Sequence, residues 1–400
     1  PSGLVAALAV AQVISWGTLY YAFPILVLPM RASLGWRPGL LNGAVSAGLL
    51  AMGLASVPAG AWIDRHGGRG VMTLGSLLGA AGLGLWAWAR TPALFVAAWL
   101  LLGAGMAGAL YEPAFAVLTA ACGRDAPRRI AALTFAGGLA STLCMPVIQA
   151  LADALGWRGA LWVLAGVNLA VCVPLHAAVV PGAAPVRGPG PAGAGPGRGL
   201  VRSRPFWGLA LAFPACTLVA SALVFQLVPL LSGWGLAKGA VLGCMMLIGP
   251  MQSAARLLWM ALGGRLTARS TGLGVVAALL AGVLGLLLLP HRLAWLGAAV
   301  AVFGFGNGLL AIVRAVAVPE LVGAEAYGTI NGILALPVMV ARAFGPAAAA
   351  GLWAWTGGPA GMLWGLAGCA LAGGVGLGLA AGGNGKGVQS RPLRKARGRS

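Results

Sequence analysis

Between its charged breaks and its Pro- and Gly-rich breaks, the chain runs through twelve mostly apolar stretches of about 20 residues or more, each long enough to cross a bilayer. They lie near 3–29, 39–62, 71–89, 93–120, 130–154 and 159–180, and again near 206–231, 239–262, 271–289, 294–318, 328–355 and 360–381. Only 8% of the 400 residues are charged, whereas a soluble domain carries about 25%. So few charges cannot cover a water-facing surface, so the chain's main solvent is lipid. The 66 glycines fit that reading. Small residues let membrane helices approach closely, whereas in a soluble helical protein they would weaken the helices.

Segment 181–205, PGAAPVRGPGPAGAGPGRGLVRSRP, is too rich in Pro and Gly for a helix and reads as a flexible linker. It divides the chain into an N-terminal six-span bundle (1–180), a C-terminal six-span bundle (206–381) and a basic tail (382–400). With the linker side taken as cytoplasmic, seventeen of the 26 Lys and Arg residues lie on that side and six on the other. That asymmetry places both termini inside, in a multi-pass protein of the cell inner membrane. The chain opens on Pro1, which reads as a trimmed start, and no cleavable signal peptide is visible.

The net charge of +20 does not point to nucleic acid, because no folded soluble domain is present to carry a basic face. The tail residues Lys386, Arg391, Arg394, Lys395, Arg397 and Arg399 read as a topology determinant lying on anionic lipid. Six cysteines stand singly in apolar stretches without metal-ligand or CxxC spacing, so they read as small core residues. No cofactor or metal is expected. His66, His176 and His291 are far apart in sequence, which argues against a membrane-embedded enzyme. The chain also carries no G-x-x-x-x-G-K-[ST] segment, which argues against ATP drive from this polypeptide. A monomer is the expectation.

The two sets of six spans repeat one another. At an offset of 200 residues Arg65 and Arg69 fall on Arg265 and Arg269, and Met145-Pro146 falls on Gly345-Pro346. Near 198, Gly35-Trp36 falls on Gly233-Trp234. Several matches at nearly one offset argue for a duplicated six-helix unit.

After the second span stands Gly60-Ala61-Trp62-Ile63-Asp64-Arg65-His66-Gly67-Gly68-Arg69, with Gly70 next. It resembles the major facilitator signature G-x-x-x-D-R-x-G-R-R, with Gly70 in place of the last Arg. The resemblance implies an all-α membrane protein of about twelve transmembrane helices in two pseudo-symmetric six-helix bundles. It also implies a cytoplasmic gate in which Asp64, Arg65 and Arg69 form contacts in one state and break them in the other. The second copy, Gly263-Gly264-Arg265, lacks the Asp. The Arg found early in the fourth span of proton-driven members is absent, the stretch reading Trp99-Leu100-Leu101-Leu102-Gly103, and so is the G-P-x-x-G-G pattern of antiporter fifth spans.

Four ionisable residues lie within spans: Glu112 in the fourth, Arg256 in the eighth, Arg314 in the tenth and Arg342 in the eleventh. A mid-membrane Arg costs roughly 2.5–3.5 kcal/mol on the insertion scale. Each should therefore face a wet cavity, pair with a carboxylate or bind an anion. Arg342 lies near the centre of its span. Arg256 lies about six residues below the middle, about 9 Å at 1.5 Å rise per residue. Arg314 lies lower still, within reach of the headgroups. Glu112 is the one deep carboxylate, which leaves two positive charges for something else.

The segment Gly249-Pro250-Met251-Gln252-Ser253-Ala254-Ala255-Arg256 is similar to the eighth span of the monocarboxylate transporters, with Gln252 in place of their Asp. An Arg there with a cation in the eleventh span is similar to the oxalate:formate antiporter group, Arg342 standing where that group has a Lys. The Arg fork suits a carboxylate. The resemblance implies that Arg256 and Arg342 bind a small mono- or dicarboxylate. In the fourth span Leu110-Tyr111-Glu112-Pro113-Ala114-Phe115 sets a carboxylate, a phenol and a helix-bending Pro together. Glu112 and Arg314 are near-equivalents at an offset of 202 and face each other across the cavity in the family's architecture. Glu112 is either a proton-coupling site or half of a gating pair. Trp16, Tyr20 and Tyr21 of the first span and Phe225 and Gln226 of the seventh are further candidates for the lining, Tyr20 and Tyr21 before the rest.

The expected function is secondary active transport of a small organic anion by alternating access, with a proton or a counter-anion as the open choice of coupled species. Efflux of drugs or sugars by the same fold would want a site of aromatics and acids, which the deep arginines oppose. A membrane scaffold or signalling protein is the alternative outside transport.

Overall fold

A computed structural model describes residues 2–122, 126–182, 203–262, 266–322 and 327–382. Most of the linker (183–202), the tail from 383 onward and the Gly263-Gly264-Arg265 turn lie outside the described residues. Every regular element among the described residues is helical. This is the expected fold class, because lipid offers no partner for backbone groups and helices satisfy them internally.

The membrane helices are α1 (Gly3–Leu34), α2 (Pro38–His66), α3 (Gly68–Trp88), α4 (Pro92–Cys122), α5 (126–155) and α6 (157–179). The second set is α7 (Arg204–Gly233), α8 (Lys238–Ala261), α9 (Ala268–Leu288), α10 (Leu293–Ala317), α11 (Tyr327–Thr356) and α12 (Pro359–Gly382). By length and hydropathy alone there are eleven continuous candidates, because α5 and α6 run together as Ala132–Val179. Those 48 residues as one rod would be about 72 Å long, more than twice the hydrocarbon core. Gly156, with φ 72° and ψ 167°, breaks the run into two spans. The twelve-span reading therefore stands.

The repeat is visible in the backbone. Left-handed glycines close α1 at Gly35 (φ 67°) and follow α7 at Gly235 (φ 80°), an offset of 200. Gly156 (φ 72°) and Gly357 (φ 71°) occupy the corresponding hairpins 201 apart. Only glycine enters that region without a Cβ penalty. The geometric partner of Gly35 is thus Gly235 rather than the Gly233 of the Gly-Trp match.

Proline bends three helices at places that are filled from a neighbour. A helical Pro cannot donate to the carbonyl four residues earlier. Pro113 frees Ala109 O, and the Gln12 amide of α1 donates to it at 2.8 Å and to Leu110 O at 3.2 Å. Pro250 frees Met246 O, which accepts from Thr142 Oγ1 of α5 at 3.0 Å. Pro346 frees Arg342 O, which accepts from Ser221 Oγ of α7 at 2.8 Å.

At the face opposite the linker the two halves are closed on one another. Asp153 at the end of α5 pairs with Lys238 at the start of α8. Gln226 Nε2 of α7 donates to Asn42 Oδ1 of α2 at 3.1 Å and to Pro346 O at 3.2 Å. Ala347 N of α11 donates to Ser46 Oγ of α2 at 3.3 Å.

Candidate functional site

The first functional element is a π-turn. In α1 the segment Trp16–Tyr20 winds one residue wider than an α-helix, and Tyr21 N donates to Trp16 O at 3.0 Å. The wider turn puts Trp16 over both tyrosines, with ring centroids 5.3 Å from Tyr20 and 6.5 Å from Tyr21. It is braced from α6, where Asn168 Nδ2 donates to Thr18 Oγ1 at 2.7 Å. Such bulges recur at functional sites. α4 meets this turn at its own break. Leu110 leaves helical geometry (φ −86°, ψ −152°), and Tyr111 comes within 5.0 Å of Trp16, with Phe115 stacked on it at 5.2 Å. Phe225 of α7 closes on Tyr20 at 5.0 Å across the halves.

The two arginines flank these rings in different ways. Arg342, half-buried on α11, has its carbonyl held by Ser221. The Tyr20 hydroxyl lies beside Ser221, in the field of the Arg342 guanidinium. That guanidinium itself makes no hydrogen bond or ion pair to any described residue. Arg256, half-buried on α8, is engaged with the other half. Its Nη1 donates to Thr134 O of α5 at 2.7 Å, and its guanidinium lies beside the Tyr111 hydroxyl. Tyr21 lies beside Gln252 and near Arg256. Gln252, standing where the monocarboxylate pattern has an Asp, thus faces a phenol here.

The remaining expected residues sit further out. Glu112 is exposed, on the side of α4 away from buried Pro113, Ala114 and Val117, and neither Arg256 nor Arg342 forms an ion pair with it. The expected deep partner for those arginines is absent in this arrangement, because the α4 break turns Tyr111 rather than Glu112 toward Arg256. Arg314 is half-buried, one turn before the π-turn Val318–Val322 of α10. The Asp64 side chain lies outside the described residues. Arg65 is exposed, and Arg69 donates from Nε to Val180 O at 2.8 Å, tying the α2–α3 turn to the end of α6 within its own half.

Several contributors escaped the sequence reading. Ser221, Asn42, Ser46 and Thr142 are small polar residues in apolar runs, and the one signal available was a Pro four residues beyond the carbonyl each of Ser221 and Thr142 serves. Asp153 and Lys238 lie 85 residues apart and carry no local mark. Glu320 likewise carries no local mark in the sequence. Its Oε2 accepts from Ala268 N at 2.8 Å and caps the start of α9.

Residues 8–346 match the sequence profile of the Major Facilitator Superfamily. Monocarboxylate transporter 11 of Mus musculus is 36% identical over 149 residues, which cover 36% of this chain and 32% of that transporter, so the chain spans about a third of the length of the curated relative it matches. Among solved structures, a bacterial homologue of the human lysosomal transporter Spinster, inward-facing and occupied, superposes with a TM-score of 0.71 at 13% identity. The match covers 96% of this chain and 97% of that one. The human organic anion transporter MFSD10 (TETRAN) superposes with a TM-score of 0.65 at 20% identity, over 94% and 98% of the two chains. At these identities the structural likeness establishes the fold.

Proposed function

The chain belongs to the Major Facilitator Superfamily, and from that premise we propose that this membrane transporter moves a small organic anion by rocking its two six-helix halves about a central site. The observation that carries the reading is the Arg342 guanidinium, near the centre of its span and without a hydrogen-bond partner among the described residues. A cation at that depth costs roughly 2.5–3.5 kcal/mol on the insertion scale. A substrate carboxylate offsets that cost, and the planar fork of Arg binds it through two parallel bonds. The names of the partly matching monocarboxylate transporter and of the organic anion transporter of like fold point the same way. An efflux site for drugs or sugars, built of aromatics and acids, fits two deep arginines poorly.

In this reading Arg342 takes the anion first and Arg256 joins it when the Thr134 contact loosens. Tyr20 and Tyr21 close the site against the far face. Glu112, on the open side of α4, takes up a proton or gates with Arg314, and the coupled species is a proton or a counter-anion. Asp64 and Arg65 latch the linker face, and Arg69 holds their turn in place through Val180 O. The linker face is cytoplasmic in the inner membrane, with the basic tail on anionic lipid.

The test is uptake and binding of carboxylates by the protein in proteoliposomes. Arg342→Gln leaves the anion without its fork. Loss of a hydrogen-bonded buried charge partner costs roughly 2–5 kcal/mol, so affinity falls about 30-fold or more. Arg342→Lys keeps the charge and retains part of the activity. Normal carboxylate affinity in Arg342→Gln would falsify the reading.

A further inference from the structure

From the wall of rings beside the arginines we infer that the transported anion carries an aryl group, which seats against Trp16, Tyr111 and Phe115 while its carboxylate reaches the arginine pair. The inference rests on the anion reading above and adds the rest of the substrate to it.

Four observations carry it. The rings form one contiguous surface over two helices, Phe115 to Tyr111 at 5.2 Å, Tyr111 to Trp16 at 5.0 Å and Trp16 to Tyr20 at 5.3 Å. It lies well inside the spans, whereas Trp and Tyr that anchor a helix in the membrane sit at the two interfaces. Two local distortions build the surface, the π-turn in α1 and the break in α4. Gln12 and Asn168 hold those distortions with hydrogen bonds of 2.7–3.2 Å. Finally, the Trp16 indole N–H is buried and without a partner, although a buried Trp donor usually finds one. A donor left over beside a ring surface suits a substrate acceptor.

The wall also has an open end. Tyr20 and Tyr21 are 9% exposed and sealed against the far half of the molecule. Tyr111 and Phe115 are only half-buried, and exposed Glu112 stands one turn from Phe115 on the same helix. An entering ring therefore meets the Tyr111–Phe115 stack first, with Trp16 behind it and Arg256 beside the Tyr111 hydroxyl. A small aliphatic acid reaches the arginines and leaves these rings uncovered.

The experiment compares phenylacetate with cyclohexylacetate and acetate, which share one carboxylate and differ in the ring. Binding is measured by calorimetry on the purified full chain. Ring contacts of this kind favour phenylacetate over cyclohexylacetate by about tenfold. Phe115→Leu and, separately, Trp16→Leu reduce that preference to about twofold while cyclohexylacetate binds as before. Phe115 is half-buried, so the test stands even where Trp16→Leu does not fold. Equal binding of phenylacetate and cyclohexylacetate overturns the aryl assignment and leaves the anion reading intact. Binding of none of the three acids, with Arg342→Gln indistinguishable from the parent, removes both. A preference for phenylacetate that survives both substitutions places the ring elsewhere and also overturns the inference.

Discussion

Replacing Gly249 with Ala tests whether the α5–α8 contact belongs to one state of the transport cycle. A Cβ at Gly249 would lie 2.6 Å from Gly138 O, 2.6 Å from Thr142 Oγ1 and 2.8 Å from Ser141 Oγ. Gly138 O is backbone, and Thr142 Oγ1 is committed to Met246 O, so those two do not give way cheaply even if the Ser141 hydroxyl rotates. The strain is relieved by separating α8 from α5, and those helices belong to opposite halves. Overpacking of this kind costs about 1–3 kcal/mol, which shifts the ratio of far-face-open to far-face-closed molecules by about 5- to 150-fold. The assay is labelling of a cysteine at Val228, 6% exposed beneath the far face, by a membrane-impermeant thiol reagent in a background without the six native cysteines. The matched control is Gly75→Ala, whose Cβ would lie 2.5 Å from Gly108 C. That clash separates α3 from α4 within one half, so stability falls and labelling stays unchanged. Unchanged labelling in a well-folded Gly249→Ala protein would mean that the contact persists in both states, and the reasoning would be wrong.

Two smaller perturbations probe the ends of the molecule. Asp153→Asn removes the far-face pair with Lys238, but these side chains are 53% and 62% exposed. An exposed pair is worth about 0.2–1 kcal/mol, so Val228 labelling rises by at most about fivefold, and the rise disappears in high salt. A large shift, or one indifferent to salt, contradicts the surface assignment. Asp64→Asn at the linker face slows substrate exchange across the bilayer while leaving affinity for the carboxylate nearly unchanged. Transport at the parental rate in that variant removes Asp64 from the gate.

The number of spans, their lengths and the duplication were legible in the residues because each rests on local pattern. Hydropathy over about 20 residues marks a helix that crosses lipid, and the Asp64–Arg69 turn and the 200-residue offset are linear features. Even the α5–α6 boundary was readable, since Gly156 stands where only a turn allows two spans of proper length. Arg256 and Arg342, by contrast, differed in sequence only by depth in their spans, and both read as cations for the same carboxylate. Tertiary structure separated them. Crossing of α5 and α8 delivers Thr134 O to Arg256, while α7 delivers Ser221 to the Arg342 carbonyl and leaves that guanidinium without a hydrogen-bond partner among the described residues. The same holds for Gln12, 97 residues from the Ala109 carbonyl that Pro113 frees. A proline announces in sequence that a carbonyl is freed, but the donor that fills the gap depends on which helix passes within about 3 Å of it. That is decided by the packing of whole helices, and no window of neighbouring residues contains it.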